Sequence, residues 1–384
     1  MIQILLDKEK QRKCEEIFLK YMEGILPFYS TEIYGDIVNY KNSVSEDREN
    51  CIKRTRMVLW EKYEMLYRYL YLPQMKAEYP EKQEVEAKEV YQDRLRRLLV
   101  GPEEGMVAGK RREILKEIIS EIGKMDNDSD LEEIFLYKEF SDSQEAKQIL
   151  KILDIDVCPY CNRTFTVTVE KSKMNGKGKG VRPEFDHYFP RKYYPYLSVN
   201  FYNLIPACGI CNKFKSYHDT YKNPILYPYE EGFGTEYVFT SYPQSGSMLY
   251  LRKFIAQEDF RLRIEPNLKQ IYKNDILSVK EREELEKRIA MSIKILHLEE
   301  IYMAHLDFAA DILKNRYIYS EEYIRMLQKK FPYVDFSIQD VKKILYCCDI
   351  QIENWGKHIL AKLIHDMDSE IAELEDEISP LNIV

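Results

Sequence analysis

Four of the eight cysteines form two matched pairs, Cys158-Pro-Tyr-Cys161 and Cys208-Gly-Ile-Cys211. Two such knuckles a few tens of residues apart can converge four thiolates on one tetrahedral zinc ion, each knuckle supplying two ligands. A single pair would leave redox chemistry open. A second pair, in a chain with no export signal at its start, favours a closed structural site over reactive thiols or disulfides. Cys14 and Cys51 read as packing residues, and the adjacent Cys347 and Cys348 receive no role.

Between and beside the knuckles lies a second set: Phe185-Asp186-His187-Tyr188-Phe189-Pro190, then Asn203, then Asn212 directly after Cys211. Metal-assisted hydrolysis of a phosphodiester needs a divalent ion to hold the phosphate, a base to activate water, and a group that orients the base. Asp186 offers a hard oxygen to Mg²⁺ or a similar ion, His187 can take a proton near neutrality, and Asn203 can fix the imidazole by a hydrogen bond. Asn212 would add a neutral oxygen ligand. A zinc cage would anchor the first turn of the helix that presents it. Singly, each residue has an ordinary reading, a satisfied structural histidine or an asparagine that shapes a turn. The ordered set is what points to chemistry.

These residues resemble the HNH endonucleases with the ββα-metal fold, across about Cys158 to Ser216. The resemblance implies that Asp186 is a metal ligand, His187 the general base, Asn203 the orienting residue and Asn212 the last metal-site residue, with Cys158, Cys161, Cys208 and Cys211 as a structural zinc staple. Asn212 stands where the family's third histidine would be, as in its HNN branch. That shifts the expected catalytic ion toward Mg²⁺ or Mn²⁺. The run Asp186-His-Tyr-Phe-Pro-Arg-Lys-Tyr-Tyr-Pro-Tyr-Leu197 with Phe201-Tyr-Asn-Leu-Ile-Pro-Ala-Cys208 is similar to the PtuB-like HNH subunit of Septu-type anti-phage systems and their retron-linked relatives. This implies a role in defence beside an ATPase partner, a PtuA-like subunit. No complete phosphate loop is present in the chain itself: Gly105-x3-Gly109-Lys110-Arg111 is one residue short and lacks the Ser or Thr that binds magnesium.

Charge divides in the same place. The 384 residues carry 57 basic and 65 acidic side chains, net -8. Residues 151 to 222 hold twelve basic against six acidic, +6, while the remainder holds 45 against 59, or -14. A local basic surface is what phosphate binding requires. Lys177, Lys179 and Arg182 lie in a glycine-spaced loop, Arg191 and Lys192 follow the Asp-His pair, and Lys213 and Lys215 flank Asn212 on its helix. These are the candidate nucleic-acid contacts, with Lys215 placed to meet substrate phosphate. The dense aromatics from Tyr188 to Tyr202 read first as packing for a small core, and second as stacking surfaces for unpaired bases. His218, six residues beyond Asn212, would be rotated away from the site.

The elements that must carry these residues are mostly helical. Apolar residues at three-and-four spacing predict helices over Glu15 to Leu26, Cys51 to Leu72, Val85 to Leu99, Arg111 to Ile122 and Glu132 to Leu153. They return at Leu298 to Leu313, Glu321 to Lys330, Ile338 to Leu345 and Trp355 to Glu377, after a stripe of Leu285, Ile289, Ile293 and Leu296. Thr164 to Glu170 alternates as a strand and is expected to form a hairpin with Glu184 to Phe189. Further extended segments are expected at Tyr237 to Thr240 and Met248 to Ile255. The expectation is therefore an α+β protein, mainly helical, with three blocks: 1–154 helical, 155–222 the zinc-stapled module, and 223–384 an accessory region. No stretch reaches the roughly 18 to 20 apolar residues of a membrane span, so a cytoplasmic protein without membrane attachment is expected. The functional expectation is metal-dependent cleavage of DNA or RNA. The alternative from another class is a non-catalytic zinc knuckle that binds nucleic acid or protein.

Overall fold

The computed structural model describes residues 1–25, 64–71, 93–101, 110–125, 131, 134–169, 180–243, 260–273, 277–333 and 335–378. It is a mixed α+β protein with small two-stranded sheets. The described chain forms two units, neither of them a continuous stretch: one comprises residues 4–154 and 167–230, the other 1–3, 155–166 and 231–384.

In the first unit, helix α1 (Lys8–Ile25) is followed by α2 (Glu64–Tyr71), α3 (Arg111–Ile122), α4 (Tyr137–Asp142) and α5 (Gln144–Leu153). The predicted Glu132–Leu153 helix is broken because Leu136 adopts a left-handed φ of 48° and Ser143 is extended. Ser143 then caps α5, its hydroxyl accepting from the Ala146 amide at 3.0 Å, as serine does at a helix start. Strand β1 (Glu184–His187) pairs antiparallel with β2 (Leu204–Ala207), Asp186 opposite Ile205 and His187 opposite Leu204. Helix α6 (Gly209–Lys215) follows at once, with Cys208 as its N-cap.

The expected hairpin between 164–170 and 184–189 is thus corrected. The partner of β1 is 204–207, all four residues of which are buried, whereas Phe165, Val167 and Val169 are exposed and form only isolated bridges, Val157 to Phe165 and Val169 to Val181. β-Branched alternation marked a strand-like run, but burial selected its neighbour. The loop between β1 and β2 is tied to the helices. The Asn200 side chain donates to the Leu98 carbonyl at 2.6 Å, and the Tyr196 hydroxyl donates to that of Gly123 at 2.7 Å. Tyr188, Tyr194, Tyr196 and Tyr202 are essentially inaccessible, so this aromatic run is core.

In the second unit, β3 (Tyr237–Pro243) and β4 (Phe260–Pro266) form an antiparallel pair. Helices α7 (Leu268–Lys273), α8 (Val279–Ile295), α9 (Leu298–Tyr302), α10 (Leu306–Ile318), α11 (Glu321–Lys330), α12 (Ile338–Tyr346) and α13 (Ala361–Ile378) follow. Ser278 and Glu281 close a capping box at the start of α8. The predicted helix from Trp355 begins only at Ala361, because Leu360 turns left-handed at φ 60°. The predicted Met248–Ile255 strand and most of the Cys51–Leu72 helix lie outside the described residues. Among the described residues no helix is long and apolar enough to cross a membrane.

The first knuckle is held in this second unit by Asn162, which is fully buried and left-handed at φ 52°. Its Nδ2 donates to the carbonyls of Trp355 at 2.8 Å and His358 at 3.1 Å, and its Oδ1 accepts from the Lys362 amide at 3.0 Å. Removing this amide strands buried partners, each costing on the order of 1–3 kcal/mol. Asn162→Ala is therefore expected to lower the thermal midpoint by several degrees in calorimetry, and Asn162→Gly, which relieves only the backbone strain, should recover little of the loss.

Candidate functional site

Cys158 and Cys161 lie in the second unit and Cys208 and Cys211 in the first, and all four are buried. Four such thiols are a donor set that could bind zinc. Local backbone shapes each pair. The Asn162 amide donates to the Cys158 carbonyl at 2.7 Å and the Cys158 amide to Thr164 at 2.9 Å, closing the first knuckle. In the second, the Cys208 carbonyl accepts from the Asn212 amide at 3.0 Å, the first turn of α6.

That turn presents Asn212 toward β1. Its Nδ2 donates to Glu184 Oε2 at 2.7 Å; a carboxylate can only accept, so the amide oxygen is turned away from Glu184. Gly209 permits the approach, since a Cβ there would stand 3.0 Å from Glu184 Oε1. One turn of α6 further, Lys215 is buried rather than directed to solvent, with its ammonium donating to Asp186 Oδ1 at 3.1 Å and to the His187 carbonyl at 2.6 Å. This corrects the expectation that Lys215 meets substrate phosphate. The C-terminal end of α6 leans on β1, and the long side chain is consumed by the strand it packs against. Burial pushes the Lys215 pKa down, while the Asp186 charge opposes that shift. Glu184 and Asp186 share a face of β1, as period-two alternation requires, so Glu184 is a site residue that the strand pattern could have revealed.

His187 faces the other way. Its Nε2 lies 3.0 Å from the Ser198 carbonyl. Because a carbonyl only accepts, Nε2 carries the hydrogen, and Nδ1 is left as the proton-accepting atom of the ring. The expected bond from Asn203 is not the one formed. Asn203, with no exposed surface, accepts from the Phe189 amide at 2.7 Å and donates to the carbonyls of Phe189 at 3.1 Å and Leu197 at 3.0 Å. It acts on the imidazole at one remove, by holding the short turn Pro195–Leu197 that delivers Ser198. Burial, and then the Arg191 charge, hold the His187 pKa down to about 3 against the Ser198 bond, well below the near-neutral value expected of it. The ring is thus neutral across the physiological range.

Tyr137 of α4 packs on this imidazole, ring centroids 4.6 Å apart, and the Arg191 guanidinium lies 5.4 Å over the far ring. Its hydroxyl feels the charges of Arg182, Arg191, Asp186 and Glu184, so the two faces of β1 share one electrostatic neighbourhood. Nothing near Tyr137 in sequence marks it; a gap of 50 residues separates it from His187. Arg182 ion-pairs with Asp142 at 3.2 Å. Lys192 and Lys213 are exposed, and Lys177 and Lys179 lie outside the described residues. His218 is turned to the Asn223 carbonyl at 2.7 Å.

Compared with known proteins, the chain is similar to "Septu protein PtuB" of Bacillus thuringiensis, 47% identical over 45 residues, which cover 12% of this chain and 18% of that protein. The match therefore spans under a fifth of the relative's length. No family model matches the chain, and no solved structure matches it.

Two outcomes test this geometry. Lys215→Met removes the cation from a buried carboxylate and should destabilise the protein by about 3–5 kcal/mol in denaturant unfolding, whereas combining it with Asp186→Asn should cost less than the single change. Elemental analysis should find about one zinc per chain, and Cys208→Ser should lower that content and destabilise the fold.

Proposed function

We propose that this protein is a metal-dependent HNH endonuclease that hydrolyses phosphodiester bonds in DNA or RNA, an effector of anti-phage defence that works with an ATPase partner subunit. The observation that carries this reading is the juxtaposition on β1: a carboxylate directed to α6 on one face, and on the other a neutral imidazole whose Nε2 hydrogen is already committed to Ser198. A zinc knuckle that merely bound a partner would have no use for a tautomer fixed in this way. The order β1, β2, α6, with the cysteine pairs beside it, is consistent with a ββα-metal module. The similarity to the Septu protein PtuB supports the defence role.

In this reading His187 Nδ1 takes the proton from the attacking water, and its neutrality keeps that lone pair available. Asn203 and Ser198 orient the ring. Asp186 and Asn212, with Glu184 beside them, would hold the divalent ion through oxygen atoms, a donor set that suits Mg²⁺ or Mn²⁺. When bound, such an ion neutralises charge at the scissile phosphate. Lys215 takes Oδ1 of Asp186 and so fixes the rotation of the carboxylate. Arg191, beside Tyr137, is placed for an adjacent phosphate, and the cysteine cage holds the first turn of α6 with Asn212.

Incubation of the full chain with DNA and with RNA in Mg²⁺ or Mn²⁺, alone and with a co-encoded ATPase, should give cleavage on gels. His187→Ala should reduce it by at least about 100-fold, the scale of lost general-base catalysis, with zinc content retained and the protein still folded by circular dichroism. Cleavage that survives this change in a pure preparation would refute the mechanism.

A further inference from the structure

A series of rings and cations runs from the imidazole to the surface of the first unit. The His187 ring packs tilted against Tyr137, and Arg191 lies over Tyr137. Its neighbour Lys192 is exposed, with its Nζ 5.0 Å from the centre of the Tyr217 ring and 5.7 Å from that of Tyr193. On Tyr193 sits a second cation, Lys124, 3.4 Å from the ring centroid. Tyr217, just past the end of α6, is 61% exposed. Packing does not account for that ring, in contrast to the buried tyrosines of the same region. Asp219 Oδ2 lies 3.7 Å from Lys124 Nζ, and this carboxylate is mostly covered.

We propose that Lys124, Tyr193, Lys192 and Tyr217 form a track for an unpaired nucleic-acid strand leading to His187, which makes single-stranded polynucleotide the substrate class. This rests on the nuclease reading above. The argument is one of complementarity. A duplex hides the faces of its bases and offers phosphates alone, so lysines would suffice for it. An unpaired strand offers phosphates and bare base faces in alternation, which is the pattern of cations and rings seen here. The local surplus of basic residues favours a polyanion over a protein partner. The series also starts at Arg191, against the ring that covers the imidazole, so a strand bound along it would pass the proposed general base.

The test is fluorescence anisotropy on the full chain without added divalent metal, using labelled 12-nucleotide single-stranded DNA, single-stranded RNA and a duplex of equal length. Both single strands should bind more tightly than the duplex. Tyr217→Ala should weaken single-strand binding by about 5- to 100-fold, the range for loss of one stacked base, and leave duplex binding unchanged. Tyr217→Phe should restore it, since stacking needs the ring and not the hydroxyl. Lys192→Ala and Lys124→Ala should weaken all three ligands and reduce the salt dependence of binding. Equal affinity for single strands and duplex, no effect of Tyr217→Ala, or no nucleic-acid binding at all would overturn the track. Ring-dependent binding of single strands with no cleavage in any metal would instead sink the nuclease reading and leave the track standing. Cleavage indifferent to Tyr217→Ala would do the reverse.

Discussion

The buried ion pair between Lys215 and Asp186 governs the arrangement around β1. Both side chains are almost wholly withdrawn from water, 0% and 3% exposed. Such a pair is tolerable only when its geometry is good and its remaining hydrogens are used, and here the ammonium also serves the His187 carbonyl. One lysine thereby couples the last residue of α6 to two consecutive residues of β1. The helix cannot slide along the strand without stranding a buried charge, so Asn212 stays opposite Glu184.

The opposite face of β1 is organised by hydrogen bonds to backbone rather than by charge. Asn203 uses its amide fully on Phe189 and Leu197, and so fixes the loop that brings the Ser198 carbonyl to the imidazole. That loop is anchored in turn to the helices of its unit through Asn200 and Tyr196. Tyr137 comes from another helix of that unit, α4, so the surroundings of His187 are built by chain far outside the cysteine-bounded segment. This is a physical basis for the helical flank to influence the centre.

Much of the site could be read locally. Paired cysteines announce themselves by spacing, because two ligands on one tight turn need that spacing, and the Asp-His pair at a strand end carries its own chemistry. Spacing marks Asn203 as a candidate orienting residue but does not give its partners, since a side chain with one acceptor and two donors can satisfy several backbone groups equally well. Spacing offers Lys215 as a phosphate contact beside Asn212, because helical spacing says which residues share a side, not which side is covered. Glu184 shares a strand face with Asp186, a relation visible only once the strand itself is accepted. The partner of β1 was missed because an exposed alternating run and a short buried one compete, and burial decides.

By itself, the sequence determined which chemistry could be assembled: four thiolates for zinc, oxygen donors, an imidazole, and an excess of cations in an otherwise acidic chain. It also determined most helices, whose signal is a periodicity within a few turns. Tertiary structure alone decided the pairing of β1 with 204–207, the burial of Lys215, the Nε2 hydrogen of His187 and the arrival of Tyr137. Each of these depends on groups distant in the chain that meet through packing, and the free energy that selects among such meetings is spread over the whole unit rather than written in any local pattern.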